Sequence, residues 1–523
     1  MQLPAAPRTG LSADMRYCLT REILLILQPK SDKEMNQTFE MVAKTLQGLE
    51  DVLAEELRGL GALNVQPGRR MVSFEGDLEM LYRANMCCRT ALRILKPIYK
   101  FIARDTDGLY EMTKEFDWDS VLSLDKTFSI DTVAFSDEFT HSRFVTYRVK
   151  DAIVDWFKDK YGPDKRPGVR LQDADVMINV HIAGDRVTLS LDSSGESLHR
   201  RGYRVAQTEA PINEVLAAGI ILKSGWRGDC PLVDPMCGSG TFLIEAALIA
   251  ANIMPGVYRR GFAFEHWPDF DRELFESIYN DDSAERGFSH KIYGADISPK
   301  AVAIATENIK SAGVGRYIDL QVKPIAKWTE APEGGIPGVM VTNPPYGERI
   351  SVEDMDGLYE TIGDRLKHVF LGYHAWIIGY KNDYFNKIGL AATSKTPMLN
   401  GSLECELREY EIFSGKLSDF KRAGGRLAKG EKPARDTRRR ESDREWRSRA
   451  RDKGMGGGEA RLRRDNRRDD NRDRREPSED ELATTRRRNE HALKSIVGKK
   501  PSLPKNDGPF MRTRGWRKAK GDK

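Results

Sequence analysis

The sequence predicts an α/β protein in which a smaller α/β domain precedes a doubly wound, mainly parallel sheet. In residues 211–416, short apolar runs alternate with segments of helical period, which is typical of a parallel sheet covered by helices. Strand-like and helix-like periods also alternate in residues 38–191, and a polar, basic stretch at 192–210 separates the two regions. We therefore expect two folded domains joined by a linker.

The charge of the chain is distributed unevenly. The net charge is +5, but the positive excess lies wholly in residues 421–523, and the rest of the chain is net acidic. Arginines in this tail alternate with acids and glycines, and apolar residues are few. Such a composition cannot bury enough apolar surface to offset chain entropy, so residues 417–523 are predicted to be disordered. The asymmetry indicates a polyanionic partner such as RNA, with a merely solubilising tail as the alternative.

Cysteine content and apolar runs indicate the compartment. The six cysteines form no Cys-x-x-Cys pair and no cluster with zinc-ligand spacing, so we expect a reduced, cytoplasmic protein without a metal. The apolar run 242–254 is shorter than the roughly 18 residues of a membrane span, and no membrane partner is expected.

Residues 1–37 show no clear period and no signal peptide. We expect a disordered extension there, with Met1 and Met35 both open as start sites.

The first domain, residues 38–191, has the alternation of a small α/β fold. Leucines at helical spacing mark its first helix, and a glycine turn joins its last two strands as a hairpin. The predicted helices cover 46–60, 77–85 and 143–157, and the predicted strands cover 71–74, 90–94, 128–133, 176–182 and 186–191. No catalytic constellation occurs in this region, so we interpret it as a scaffold or binding module.

The linker, residues 192–210, begins with the polar and basic segment DSSGESLHRRGYR. His199, Arg200, Arg201 and Arg204 are candidates for contact with RNA phosphates, because cationic side chains on a polar segment suit a polyanion. A solvated linker without such a role is the alternative, since charge runs are often only solvated.

The second domain, residues 211–416, carries alternating strands and helices. Its predicted strands cover 232–234, 291–296, 318–322, 339–341, 374–378 and 409–413, and its predicted helices cover 211–221, 242–253, 299–312 and 357–370. Residues 252–290 form an insertion that is too long for a plain crossover. The insertion is aromatic and basic, so we expect either a contact with RNA or a packed lid.

A glycine turn follows the first strand of this domain. The segment DPMCGSGT begins at Asp234 and leads directly into an apolar helix. Gly238 and Gly240 let the backbone approach a ligand closely, and the strand–turn–helix order is how open α/β sheets bind nucleotide-like ligands. The turn lacks the lysine of a phosphate-binding loop, and an acid at the strand end suits a ligand with an amine. A tight turn with glycines for packing is the alternative.

The second strand of the domain also ends in an acid. Asp296 is the last residue of the apolar run KIYGAD. An acid at the second strand end of such folds bonds ribose hydroxyls. Both acids therefore point to a ligand that carries an amine and a ribose.

The motif TNPPYG follows a third buried strand, GVMV. Its two prolines fix the backbone, so that the Asn343 side-chain oxygen and the Pro344 carbonyl are two acceptors beside one stacking ring, Tyr346. Two converging acceptors and a ring suit the exocyclic amine of a flat base. A proline-rich turn without a ligand is the alternative.

The motifs DPMCGSGT, GADIS and TNPPYGERI, in this order, resemble class I S-adenosylmethionine-dependent methyltransferases that act on amino groups. The segment DSSGESLHRRGYR, followed by APINE, is similar to bacterial 23S rRNA guanine-N2 methyltransferases. The segments HSRF and VKDAI resemble the THUMP RNA-binding domain of those enzymes. The resemblance implies a ferredoxin-like and THUMP region at 38–191, a Rossmann-like methyltransferase domain at 211–416, and 23S rRNA or a large-subunit precursor as the partner.

The resemblance also implies roles for single residues. Asp234, Met236, Gly238 and Gly240 would line the methionine side of S-adenosylmethionine, Asp296 would hold its ribose and Ile297 would lie against its adenine. Asn343 and Pro344 would accept the guanine N2 hydrogens, and Tyr346 would stack on the base. An acid that relatives carry after the third strand is replaced here by QVKP, and the tail stands where some relatives have a second methyltransferase domain.

Two alternatives stay open on the sequence. The same motif serves other amines, so the substrate could be a tRNA guanine N2 or an adenine N6. A non-catalytic RNA-binding or ribosome-assembly factor is the alternative outside enzymes, but pure binding requires neither the glycine turn nor the TNPPYG motif.

Overall fold

The computed structural model describes residues 37–346, 355–380, 384–413, 415, 421–422, 424 and 426–428. The predicted tail, and all but the last residue of the predicted N-terminal extension, therefore lie almost wholly outside the described residues. Among the described residues, no helix has the length and apolar character that a membrane crossing requires. The same residues contain no group of three or more His, Cys, Asp or Glu side chains placed to hold a metal ion.

The first domain is built on an eight-stranded sheet with strand order β2-β3-β1-β4-β8-β7-β5-β6. Its strands are β1 Phe39–Lys44, β2 Leu63–Gly68, β3 Met71–Gly76, β4 Arg93–Ile102, β5 Thr127–Phe135, β6 Gly168–Val169, β7 Val176–Ala183 and β8 Arg186–Asp192. Its helices are α1 Glu50–Gly59, α2 Leu78–Cys87, α3 Thr106–Glu115 and α4 Ser142–Tyr161. The elements β1, β2, β6 and α3 were not predicted, because they are short or partly exposed and have weak periods.

The second domain is a seven-stranded sheet with strand order β11-β10-β9-β12-β13-β15-β14. Its strands are β9 Leu232–Asp234, β10 Ile292–Asp296, β11 Ile318–Val322, β12 Val339–Thr342, β13 His374–Tyr380, β14 Ser394–Asn400 and β15 Leu403–Glu411. Its helices are α5 Glu214–Lys223, α6 Thr241–Ala250, α7 Arg272–Tyr279, α8 Pro299–Ala312, α9 Met355–His368 and α10 Tyr384–Lys387. The α/β fold class with a doubly wound second sheet is confirmed.

The strand order reverses at β9, which pairs in parallel with both β10 and β12. In such sheets, ligands bind outside the carboxyl ends of the strands at the point of reversal. The residues that follow β9, β10 and β12 therefore meet at one edge, and these are the three places where the sequence carries its motifs.

The C-terminal edge of this sheet differs from the prediction. The strand predicted at 409–413 is the end of a longer strand, β15, and β15 forms an antiparallel hairpin with β14, which the sequence analysis missed. Pro397 within β14 removes a hydrogen-bond donor, which sequences tolerate on an edge strand. The hairpin matters for the site because its turn reaches the same edge as β12, as shown below.

The linker is partly buried, and Arg201 and Tyr203 are its largest buried side chains. Arg201 is 2% exposed, and its Nη1 donates to the Leu198 carbonyl over 2.8 Å. Glu245 of α6, which is fully buried, accepts a hydrogen bond of 2.9 Å from the Tyr203 hydroxyl and forms an ion pair with Arg201. A buried charge needs a partner of opposite charge and further hydrogen bonds, and the linker provides both. The solvated-linker alternative therefore does not hold for Arg201 and Tyr203, whereas Arg200 is exposed.

The insertion at 252–290 packs against the first domain. The Phe264 ring is 1% exposed and lies with its centroid 4.6 Å from that of Tyr82 in α2. Phe262, Phe275 and Trp267 are buried in the same core cluster. Of the two alternatives for this insertion, the packed element agrees with the structure, because these aromatic rings are buried within the protein.

Gly202 offers a test of how tightly the linker is packed. Its φ of +111° is the same as that of Gly162 after α4, so at both positions an added Cβ meets a backbone conformation that L side chains rarely adopt. At Gly202 the Cβ would lie 2.1 Å from the Tyr258 carbonyl oxygen, whereas nothing lies within 4 Å at Gly162.

We expect Gly202→Ala to lower the free energy of unfolding by about 3 kcal/mol more than Gly162→Ala, because only the first creates a clash with backbone. Urea denaturation of both variants measures the difference. Equal losses in the two variants would contradict the packing described for the linker.

Candidate active site

A cavity of about 900 Å³ opens at the carboxyl ends of β9, β10 and β12. All but one of the residues predicted for the cofactor and the base line this cavity, and they are Asp234, Met236, Gly238, Asp296, Ile297, Asn343, Pro344 and Tyr346. The three motifs are more than 40 residues apart from one another along the chain. Their convergence follows from the parallel order of three short strands.

Asp234 lies at the bottom of the site, where it is 1% exposed. Its Oδ1 accepts hydrogen bonds from the Thr342 hydroxyl at 2.9 Å and from the Met236 backbone N–H at 3.2 Å. Burial raises the pKa of Asp234 to about 7, and the nearby Asp296 carboxylate also raises it. Ionising the Asp234 carboxyl in this buried position therefore costs free energy. This cost indicates that the negative charge has a role at the site.

Asp296 fixes the glycine turn from one side. Its Oδ2 accepts from the Gly238 N–H at 3.0 Å, and its Oδ1 accepts from the Ser298 N–H at 2.8 Å. Gly238 has a φ of +53°, a conformation that glycine adopts without strain. The neighbouring Ile297 is 72% exposed on the cavity wall, which leaves an apolar surface free for a flat ring.

Gly240 does not line the cavity, contrary to the prediction. It caps the start of α6 with a φ of +81°, and a Cβ there would lie 3.1 Å from the Ala305 Cβ of α8. This glycine is required because two helices approach closely. The sequence could not separate the two roles, since both helix packing and ligand approach select glycine.

The TNPPYG segment contributes acceptors and a ring, with one difference from the prediction. The Tyr346 hydroxyl donates to Asn343 Oδ1, and it accepts from Asn400 Nδ2 at 3.4 Å. Burial raises the pKa of Tyr346 well above its usual range, so the phenol stays protonated and remains a donor. Tyr346 thus presents a ring to the cavity and also orients the Asn343 amide, a contact that the sequence analysis missed.

Several cavity walls were not predicted. One is the segment 207–212, called here the strap, and another is the hairpin turn that carries Asn400 and Leu403. Helix α8 contributes Lys300 and Ile304. No local pattern assigned these residues to the site, although residues 210–212 of the strap belong to the APINE segment. They reach the cavity through packing.

The polar groups of the cavity suit a ligand with amine and hydroxyl donors. Its described lining contains the carboxylates Glu209, Asp234 and Asp296, against a single ammonium group from Lys300. Carboxylates accept from amines and sugar hydroxyls but repel phosphate. The residues present therefore fit an aminoacyl nucleoside with a positive centre better than a phosphorylated nucleotide.

The four linker residues predicted to contact RNA are placed differently from one another. Arg200 is exposed and pairs with Glu196 at 2.6 Å, and His199 is half-buried with its Nδ1 2.9 Å from the Ser197 hydroxyl. Burial lowers the pKa of His199. Arg201 is buried, and Arg204 bonds Glu214 at 2.7 Å beside the cavity. Contact with RNA phosphate does not fit the burial of Arg201 and Arg204, because their guanidinium groups already bond protein acceptors.

Family models match three consecutive parts of the chain. They describe the RlmL ferredoxin-like domain at residues 40–95, the THUMP domain at residues 103–192 and the RMKL-like methyltransferase domain at residues 201–409. The first two correspond to the eight-stranded sheet and the third to the seven-stranded sheet.

Curated relatives share this arrangement. A protein of Synechocystis sp., named as a candidate RNA methyltransferase, is 39% identical over 374 residues, which cover 71% of this chain and 96% of the relative. The ribosomal RNA large subunit methyltransferases K/L of Syntrophotalea carbinolica and Psychromonas ingrahamii are 38% and 39% identical. These matches cover 72% and 70% of this chain. The chain spans about half of these two relatives, 54% and 49% of their lengths.

Solved structures agree. SMU.472, a candidate methyltransferase solved in complex with SAH, has a TM-score of 0.64 at 32% identity and covers 73% of this chain and 100% of its own. A Listeria monocytogenes structure, named as a predicted N6-adenine-specific DNA methylase, has the same TM-score and identity over 72% of this chain and 97% of its own. The chain belongs to the family of THUMP-containing, RMKL-like methyltransferases, and the prediction of the bacterial 23S rRNA guanine-N2 methyltransferase family is confirmed.

Proposed function

We propose that this chain transfers a methyl group from S-adenosylmethionine to the exocyclic N2 of a guanine in 23S rRNA, either free or in a large-subunit precursor. The observation that carries the proposal is the single cavity shared by the buried Asp234 carboxylate and the Asn343–Pro344 acceptors. One group of residues suits a cationic cofactor and the other suits an aromatic amine. An rRNA substrate also implies a cytoplasmic location.

The cofactor assignment draws on both the family and the lining. SMU.472, a relative at 32% identity, was solved with SAH, the product of methyl transfer from S-adenosylmethionine. When bound, S-adenosylmethionine supplies a methyl group on a positively charged sulfur. Asp234, Met236 and Gly238 would face the aminoacyl part, Asp296 the ribose hydroxyls and Ile297 the adenine.

Methyl transfer to N2 requires help at the nitrogen. The lone pair of a guanine amine is delocalised into the ring, and positive charge develops on the nitrogen as it attacks. The Asn343 oxygen and the Pro344 carbonyl would accept its two N–H groups, hold the nitrogen in line and stabilise that charge. Tyr346 would keep the Asn343 oxygen directed at the amine. This arrangement needs no strong general base, and we assign none.

The RNA-binding part of the proposal rests on the first domain. A THUMP domain model matches residues 103–192, and the K/L relatives are named for the large ribosomal subunit. We propose a ferredoxin-like and THUMP region at 38–191, a linker at 192–210 and a methyltransferase domain at 211–416. Arg200, exposed on the linker, remains a candidate for phosphate contact, with the half-buried His199 beside it. The target base must leave its stack to reach the cavity.

Adenine N6 is the second candidate target. The Listeria monocytogenes relative is named for that amine on DNA, and the same two acceptors would bond either exocyclic group. The identity of the methylated nucleoside separates the two, because N2-methylguanosine and N6-methyladenosine have different masses.

Asn343 provides a test of the proposed transfer step. We expect Asn343→Ala to lower turnover on 23S rRNA by at least about a hundredfold, because one of two acceptors for the developing charge is removed. The affinity for S-adenosylmethionine should change by less than about threefold. Single-turnover methylation and calorimetry measure the two quantities, and near-normal turnover in the variant would contradict the assigned role.

The raised pKa of Asp234 provides a test of the cofactor assignment. Asp234→Asn keeps the Oδ1 acceptor of Thr342 and Met236 but removes the charge. We expect the variant to bind S-adenosylmethionine about tenfold to a hundredfold more weakly at pH 8, because a charge-assisted hydrogen bond is lost. The two dissociation constants should converge as the pH falls through 7 and the wild-type carboxyl becomes protonated. A ratio that stays constant from pH 8 to pH 5.5 would contradict this account.

The same variant should gain stability without ligand. In the folded protein, the pKa of Asp234 is raised from its usual value of 3.8 to about 7, so the native state binds more protons between these values. Wild-type stability therefore falls as the pH rises through this window, by an amount on the order of 4 kcal/mol. Asp234→Asn lacks this loss, and its melting temperature should exceed that of the wild type at pH 8 but not at pH 4. If Asp234→Asn were less stable than the wild type at pH 8, the Asp234 charge would not destabilise the fold, which would contradict this prediction.

A further inference from the structure

Arg204, the last arginine of the linker, joins two walls of the cavity. Its guanidinium donates to Ser239 Oγ and to Thr241 Oγ1, each at 2.9 Å, and thereby holds the glycine turn and the start of α6. It also donates to the Ile212 carbonyl at 3.2 Å, at the end of the strap. Ser239 and the strap both line the cavity. One side chain therefore sets the distance between the turn and the strap.

Asn308 of α8 also connects the linker to the glycine turn through hydrogen bonds. It is 1% exposed, and its Oδ1 accepts from the backbone N–H groups of Val205 and Ala206 at 2.9 and 3.1 Å. Its Nδ2 donates to the Ala206 carbonyl at 2.9 Å and to the Ser239 carbonyl at 3.0 Å. The residues directly before the strap and the centre of the glycine turn are thus fixed by one amide.

The glycine turn needs such supports. Ser239 lies between Gly238 and Gly240, which have φ values of +53° and +81°. Glycines lose more conformational freedom on folding than other residues, so contacts from outside the turn must hold its shape. Asp296 supports the turn at Gly238, and Arg204 and Asn308 support it at Ser239.

The placement of Arg204 is electrostatically unfavourable by itself. A cation at the first residue of α6 opposes the helix dipole. Glu214 compensates, with its Oε1 2.7 Å from the Arg204 Nε and with both side chains largely buried. A solvated linker arginine would avoid this position, so the cluster favours a role at the turn over a role in contact with RNA.

We propose that Arg204 and Asn308 are positioning residues for the cofactor, and that Arg204 controls the affinity of the cavity for S-adenosylmethionine by fixing the glycine turn to the strap. The inference rests on the cofactor named under the proposed function. Arg204 is then no longer a candidate for contact with RNA phosphate. It supports the cofactor site, although its side chain does not itself line the cavity.

The substitution Arg204→Lys in the 523-residue chain tests whether Arg204 controls the affinity for S-adenosylmethionine. Lysine keeps the charge that pairs with Glu214 but cannot span four acceptors. We expect calorimetry to show that the dissociation constant for S-adenosylmethionine rises about tenfold. In steady-state assays, the KM for S-adenosylmethionine should rise by a similar factor. The KM for RNA should stay within about twofold of the wild-type value. Arg272→Lys is the matched control, since Arg272 is exposed, pairs across one helical turn with Glu276, lies over the Phe270 ring and is not among the residues that line the cavity. The control should bind the cofactor as the wild type does.

A double-mutant cycle with Ser239→Ala separates positioning from general destabilisation. If Arg204 acts through Ser239, each single variant weakens cofactor binding and the double variant is weakened by less than the product of the two effects. Independent, multiplying effects would overturn the proposal, as would a lower melting temperature with an unchanged dissociation constant. A raised KM for RNA alone would restore the RNA-contact role. Failure of the wild type to bind S-adenosylmethionine would instead contradict the cofactor assignment itself.

Discussion

The parallel order of β10, β9 and β12 is the constraint on which the rest of the site depends. Each strand delivers one functional group at its carboxyl end, and the strand spacing of about 4.8 Å brings the three ends together. Asp296, Asp234 and Asn343 therefore share one cavity although the sequence separates them widely. Thr342 strengthens this convergence, since its hydroxyl joins the end of β12 to the carboxylate at the end of β9.

The buried linker extends the same site towards the first domain. Arg201 bonds the Leu198 carbonyl and the Arg89 carbonyl and pairs with Glu245, which lies one turn into the helix that follows the glycine turn. Removing one partner of such a pair costs about 3–5 kcal/mol, because the other charge remains buried. The region that matches the ferredoxin-like model, which contains Arg89, and the helix beside the cofactor cavity are consequently held in one arrangement. This suits an enzyme that must bind RNA and deliver one base to a fixed point.

The sequence predicted those features that local pattern specifies. Asp234, Asp296 and Asn343 were predicted as site residues because each follows a short apolar run. A strand end of this kind, followed by an acid or an Asn-Pro-Pro turn, can be identified from the local sequence alone. The strap, Asn400 and β14 were missed, since only long-range packing brings them to the site. Arg201 is placed differently from the prediction for a related reason: its burial depends on Glu245, which in the sequence only interrupts an apolar helix.

The measurement that tests the central claim most directly is quantitative nucleoside mass spectrometry of 23S rRNA and tRNA from a strain that lacks this gene and from its parent. The account predicts loss of N2-methylguanosine from 23S rRNA and no change in tRNA. Loss from tRNA alone would keep the chemistry and overturn the substrate, and loss of N6-methyladenosine would overturn the target amine. Unchanged methylation in both RNAs, with the gene expressed in the parent, would contradict the proposed activity.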